Sequence, residues 1–208
     1  MYRLQKKAIE NNVKAKNFYI VSGCNGAGKT TASMIILPEI LDCKEFLNAE
    51  NIAQETSSLP FGKANFDSGR VMIERMDNLL NENSNFAVET TLSSRCYKSK
   101  ILEAKQKGYN VTLLFFWLQT IELAVERVRI RIEEGGHDVE PDIIERRYIG
   151  GIRNLFDLYL SLVDTALIFD NSEGMYELIA EKFHNDNIII INETKFNNLK
   201  KFYNDNKR

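Results

Sequence analysis

Apolar and polar positions fall in alternating blocks along this chain, and the blocks predict strands and helices in turn. Asn17-Phe18-Tyr19-Ile20-Val21 is an apolar run of strand length, the pattern of a strand covered on both faces. Thr31 to Leu37 follows as a helix that ends near Pro38 or passes it with a kink. Lys44 to Leu47 predicts a short strand, Lys63 to Asn81 a helix striped by Phe66, Val71, Ile73, Met76, Leu79 and Leu80, and Phe86 to Val88 another strand. Gly69 inside that helix costs about 1 kcal/mol against alanine, which points to close packing or a bend. Arg95 to Lys107 is a helix stopped by Gly108, and Val111 to Leu118, the longest apolar run, is a buried strand. In the helix Thr120 to Glu134, a turn of about 100° per residue puts Ile121, Val125, Val128 and Ile132 on one core stripe. Ile143 to Val163 is a long helix, Ala166 to Asp170 a strand, Asn187 to Ile191 a strand and Thr194 to Tyr203 a helix. Strands alternating with helices predict an α/β fold with a mainly parallel central sheet.

Between the first strand and the first helix lies Gly23-Cys24-Asn25-Gly26-Ala27-Gly28-Lys29-Thr30, which satisfies the phosphate-loop pattern G-x-x-x-x-G-K-[ST]. Glycines let consecutive backbone N–H groups curl around phosphate oxygens, and the helix adds its positive N-terminal end. Lys29 would reach the β- and γ-phosphates of ATP, and the Thr30 hydroxyl would sit on Mg²⁺. Cys24 is either a thiolate activated by the helix end or a small side chain at an unread position, the second being the commoner case.

With 208 residues, 44% of them hydrophobic, the chain is read as one domain with a sizeable core: residues 1–16 an N-terminal arm or helix, 127–148 a lid region and 187–208 a C-terminal strand and helix. Lys+Arg 27 against Asp+Glu 29 offers no field for a polyanion, so no nucleic-acid partner is expected. Three widely spaced cysteines without a metal pattern suggest reduced thiols in a cytoplasm, and no apolar run is long enough to span a membrane. The tail lysines Lys195, Lys200 and Lys201 read as a solvated face.

In parallel sheets ligands gather at the carboxyl ends of strands, so Glu50 and the Glu89-Thr90-Thr91 segment lie where a substrate would bind. Glu50 could equally complement a helix dipole. Arg129 and Glu133 form an i,i+4 pair, whereas Arg127 and Arg131 are like charges at that spacing and favour an anion opposite them, with Glu134 a partial relief. Arg146-Arg147-Tyr148 opens the next helix beyond Gly135-Gly136-His137, so two arginine-rich helices joined at glycines suggest a lid over a triphosphate. Asp170 ends a strand in the manner of a Mg²⁺-binding acid.

Segments 23–31 (GCNGAGKTT), 48–50 (NAE), 68–70 (SGR), 86–93 (FAVETTLS), 127–131 (RVRIR), 135–137 (GGH), 146–148 (RRY) and 170–172 (DNS) together resemble the zeta-toxin-like P-loop kinases, in order and over most of the chain. The resemblance implies a kinase-like P-loop fold with a helical lid. It implies transfer of the γ-phosphate of Mg·ATP to a small-molecule hydroxyl, for the toxin members that of the sugar of UDP-N-acetylglucosamine, and an antitoxin-like protein partner. Carried over, residues 23 to 30 with Thr31, Arg146 and Asn171 bind nucleotide, Asp170 to Ser172 stand on the adenine side, Glu50 is the general base, Glu89, Thr90 and Thr91 face the acceptor, and Arg131 with Arg147 supplies lid arginines. Two positions depart from the family's pattern: Glu50 replaces an aspartate, and Pro141 comes one place late, after Glu140. An ATP-hydrolysing switch with a protein partner is the alternative class, and a kinase of nucleic-acid ends is disfavoured by the acidic balance.

Overall fold

The strand before the glycine loop becomes the middle of the sheet because both its faces are apolar. In the computed structural model, which describes residues 16–39, 41, 43–49, 52, 64–136, 138–184 and 186–207, β1 (Lys16–Gly23) buries Phe18, Tyr19, Ile20 and Val21. β2 (Glu45–Asn48), β3 (Phe86–Thr90), β4 (Tyr109–Trp117) and β5 (Thr165–Asp170) join it in parallel. The order across the sheet is β2-β3-β1-β4-β5, extended by antiparallel β6 (Glu177–Phe183) and β7 (Ile189–Ile190). β1 therefore has β3 on one side and β4 on the other, and its carboxyl end opens where the strand order reverses, the usual place for a ligand in an open α/β sheet.

Helices α1 (Lys29–Glu39), α2 (Ala64–Glu82), α3 (Tyr97–Gln106), α4 (Ile121–Glu133), α5 (Pro141–Asn154) and α6 (Glu193–Asp205) flank the sheet. α1 runs past Pro38, Thr120 caps α4 by accepting from the Leu123 N–H at 3.1 Å, and Pro141 occupies the first turn of α5, where its missing N–H costs nothing. α5 continues through a π turn, Leu155–Tyr159, into a last turn at Leu160–Leu162. No helix among the described residues is long and apolar enough to cross a membrane.

Four expectations change. The buried stripe of α4 is Ala124 and Val128, whereas Ile121 and Val125 are half-buried and Ile132 is exposed. Gly69 answers no close contact, since a Cβ there would meet open space. β6 is a strand that the apolar pattern did not predict, and the predicted strand at 187–191 shrinks to the two residues of an edge strand. Lys195 is no part of a solvated face but lies within 2.8 Å of the buried Asp170 carboxylate, while Lys200 sits over the Phe156 and Tyr203 rings. Residues 1–15 of the expected arm, with Glu50 and His137, lie outside the described residues, and Lys16 already belongs to β1.

Candidate active site

Three glycines of the loop after β1 are there for space and for backbone shape. A Cβ on Gly23 would lie 2.2 Å from Phe116 O on the neighbouring strand, one on Gly26 2.8 Å from Ala124 O of α4, and one on Gly28 2.6 Å from Asn171 Nδ2. Each also has positive φ, at +145°, +79° and +80°, a region that side-chain-bearing residues avoid. The loop is therefore pressed between β4, α4 and the turn after β5.

Lys29 is buried at the start of α1, and its ammonium donates to Cys24 O at 2.9 Å and faces Glu89 Oε1 at 3.7 Å. Thr30 Oγ1 donates to Glu89 Oε2 at 2.8 Å, and Asn48 Nδ2 donates to the same oxygen at 3.1 Å. The carboxyl ends of β1, β2 and β3 thus converge on one carboxylate. Glu89 is the last residue but one of β3, which runs to Thr90 rather than stopping at Val88. Thr90 Oγ1 accepts from the Leu92 N–H at 3.0 Å, and the Thr91 and Ser93 hydroxyls lie 2.9 Å apart. Cys24 is buried beneath the loop, where burial pushes its thiol up to about 11 against the opposing pull of Lys29 and Arg127. It is the small side chain and not an activated thiolate. Thr31 is exposed in the first turn of α1.

α5 reaches the loop because Gly151 has no side chain: a Cβ there would lie 2.6 Å from Thr91 O. Tyr148 sets the helix's rotation, its buried hydroxyl donating to Leu118 O at 2.5 Å and accepting from Trp117 Nε1 at 3.0 Å. Asn154 and Tyr159, carried on the end of α5 and its π turn, bond Leu92 O at 2.9 Å and Ser94 O at 2.7 Å. So held, the helix brings Arg147 Nη1 to 3.2 Å from Asn25 Oδ1 of the phosphate loop. Arg146 points elsewhere: it is exposed and lines a cleft of about 490 Å³ with Ser93, Glu145, Gly150 and Arg153. On α4, Arg127 Nη2 donates to Ser172 O at 3.0 Å, and Arg129 pairs with Glu126 and Glu133 on the exposed side, as its spacing predicts. Arg131 is half-buried near the end of α4, its carbonyl accepting from Gly136 N–H at 2.8 Å.

The Asp170 carboxylate is engaged by Ser172, Gln119 and Lys195, and among the contacts of the described residues none joins it to Thr30. Asn171 Nδ2 donates to Ala27 O at 3.0 Å and the Tyr176 hydroxyl to Gly28 O at 3.0 Å. Gly151, Asn48 and Tyr176 pack or bond beside the candidate site, and no role follows for them from the sequence pattern. The adjacent pair Gly150-Gly151 inside a helix was the available signal for the first; no pattern marks Tyr176. No group of three or more His, Cys, Asp or Glu side chains among the described residues is placed to hold a metal by itself.

The model of the Zeta toxin family matches residues 2–177. Among solved structures, one from the PezAT chromosomal toxin-antitoxin system of Streptococcus pneumoniae is similar at 18% identity, covering 100% of this chain and 98% of that one, with a TM-score of 0.61. The AvrRxo1-ORF1:-ORF2 structure with ATP is similar at 16% identity, covering 96% of this chain and 67% of that one, with a TM-score of 0.70. A Haemophilus influenzae protein described as uncharacterized is 26% identical over 148 residues, 71% of this chain and 96% of its own length.

Proposed function

Since the chain belongs to the zeta toxin family, we propose that it is an ATP-dependent phosphotransferase that moves the γ-phosphate of Mg·ATP to a hydroxyl of a small molecule, UDP-N-acetylglucosamine being the acceptor that the family resemblance implies. The observation that carries the proposal is the convergence of Lys29, Thr30 and Asn48 on Glu89 beside the phosphate loop. A hydroxyl and a carboxylate within hydrogen-bond distance suit Mg²⁺, a hard cation that takes few protein oxygens and shares the rest with phosphate and water. Thr30 and Glu89 would hold the ion, which would supply positive charge to offset that of the phosphates.

The chain's own residues divide the remaining work. N–H groups of the loop and the first turn of α1 hold the phosphates, and the Lys29 ammonium offsets the charge that grows on the transferring group. Arg147, already at the loop through Asn25, adds a second positive charge over the γ-phosphate, and Arg131 serves the same lid. Arg146 is assigned to the nucleotide only by resemblance. Glu50 follows Asn48 by two residues in the sequence and is the general base in this reading, taking the acceptor's hydroxyl proton. Thr90 and Thr91 border the acceptor.

We read residues 1–208 as one cytoplasmic kinase domain in which residues 127–148 move as the lid. Similarity to chains from a toxin-antitoxin system and from a two-protein complex supports an antitoxin-like partner for this one. The proposal is tested by Glu50→Gln at saturating ATP. Transfer should fall about a hundred- to ten-thousand-fold with ATP binding intact. A rate within about threefold of wild type would remove Glu50 as the base.

A further inference from the structure

Lys195 lies beyond the segment matched by the family model, residues 2–177, yet short contacts connect it to the phosphate loop. Its ammonium is 2.8 Å from Asp170 Oδ2 and 2.7 Å from Glu177 Oε2. Asn192 caps α6 by accepting from the Lys195 N–H at 3.1 Å and donates to Glu177 Oε1 at 2.6 Å, so the first turn of α6 holds the lysine in place. Asp170 is buried; its Oδ1 accepts from the N–H of Ser172 at 2.9 Å and from the Ser172 hydroxyl, and Gln119 Nε2 donates to Oδ2 at 3.1 Å. Burial alone would raise this carboxyl, but the hydrogen bonds from Lys195, Ser172 and Gln119 outweigh it and hold it below the ordinary value, so it stays ionised.

The turn so anchored grips the loop from outside. Asn171 donates to Ala27 O and Tyr176 to Gly28 O, each at 3.0 Å, while Ser172 O accepts from Arg127. A trans peptide is planar, with its C=O and the next residue's N–H pointing in opposite directions. A donor that holds Ala27 O on one side therefore turns the Gly28 N–H to the other; Gly28 O is held both by the Tyr176 hydroxyl and by the Ala32 N–H of α1 at 3.0 Å, which together do the same for the Lys29 N–H. Those two N–H groups belong to the phosphate-binding concavity.

We infer that Lys195 is a positioning residue for the nucleotide: through Asp170 it holds the turn Asn171 to Tyr176, in which Asn171 sets the peptide plane that aims the Gly28 N–H at the phosphates and Tyr176 braces the one that aims the Lys29 N–H. Asp170 is on this account an anchor and not a ligand of Mg²⁺. The inference rests on the phosphotransferase reading for its nucleotide alone and is independent of the acceptor.

The test compares wild type, Lys195→Ala, Lys195→Arg and Lys201→Ala, an exposed position on the same helix, by amide hydrogen exchange and by ATP titration of binding and turnover. In Lys195→Ala, exchange should quicken about tenfold or more at residues 171–176 and 26–29 while the rest of β1 and β4 keeps its protection. Binding of Mg·ATP should weaken about fivefold or more, with the rate at saturation within about twofold. Lys195→Arg should regain both properties and Lys201→Ala should match wild type. Unchanged exchange at 171–176 and 26–29 would overturn the inference. So would faster exchange spread evenly over α6 and the sheet, which would make the contact a general stabiliser. A wild type that neither binds nor consumes ATP would refute the phosphotransferase reading, and the exchange comparison, which needs no nucleotide, would still decide for Lys195.

Discussion

Replacing Glu89 by alanine removes the acceptor on which three strand ends meet, and the cost can be worked from the contacts. The side chain is 10% exposed, so its hydrogen bonds are shielded from water. Thr30 at 2.8 Å and Asn48 at 3.1 Å donate to a carboxylate, and bonds to such charged groups are worth about 1.5–3 kcal/mol each. Lys29 at 3.7 Å adds an ion pair. Release of the carboxylate's desolvation penalty offsets part of this, and Lys29 keeps its bond to Cys24 O. The net loss should be about 2–4 kcal/mol, well above the ~1 kcal/mol ceiling of a surface pair. For a chain of this size that lowers Tm by roughly 5–15 °C. Urea unfolding followed by far-ultraviolet circular dichroism at neutral pH would measure it, with the slope m unchanged and the midpoint lowered. Glu89→Gln should fall between, because it keeps the volume and one acceptor but sets an NH₂ among donors. A loss below about 0.5 kcal/mol for Glu89→Ala would refute the claim that this carboxylate organises the site.

Arg147→Ala should lower the rate at saturating ATP by about a hundredfold while changing nucleotide affinity by less than about threefold, since a lid arginine acts mainly on developing charge. Weak binding with a full rate at saturation would refute that role. Two glycine replacements should move stability in opposite directions in thermal melts. Gly151→Ala sets a Cβ 2.6 Å from Thr91 O and should cost about 1–3 kcal/mol, whereas Gly69→Ala fills open space on a helix and should gain up to about 1 kcal/mol. Equal shifts of one sign would contradict the packing described for α5.

The parts of the fold legible in the sequence are those where one physical requirement dominates. β1 and β4 are covered on both faces and so are written as unbroken apolar runs, and the loop between β1 and α1 needs glycine for shape. The core face of α4 is not legible in the apolar pattern because it is built on Ala124 and Val128, and the backbone at Ala124 is what approaches the phosphate loop, its O 2.8 Å from where a Gly26 Cβ would be. Ala124 carries little weight in a hydrophobic pattern, whereas the larger Ile121, Val125 and Ile132 draw an apolar stripe that the fold leaves half-buried or exposed. β6 is not legible in the sequence because Glu177-Leu-Ile-Ala-Glu-Lys-Phe183 is built largely from helix-favouring residues, and only pairing with β5 makes it a strand. The bonds of Glu89 to Thr30 and Asn48 are not legible in the sequence, because they depend on the parallel neighbours of β3, which periodicity does not give. Lys195 looks like any lysine on a helix surface until the turn after β5 is brought beside it.

The most direct measurement of the central claim is transfer of label from γ-labelled ATP, in the presence of Mg²⁺, to a small-molecule pool containing UDP-N-acetylglucosamine, followed by chromatography of the products. The account predicts labelled phosphate on a hydroxyl of one pool member with wild type, and none with Lys29→Ala, whose melting curve should still be cooperative because Glu89 keeps Thr30 and Asn48. Label released by wild type only as inorganic phosphate, or equal transfer by Lys29→Ala, would contradict it.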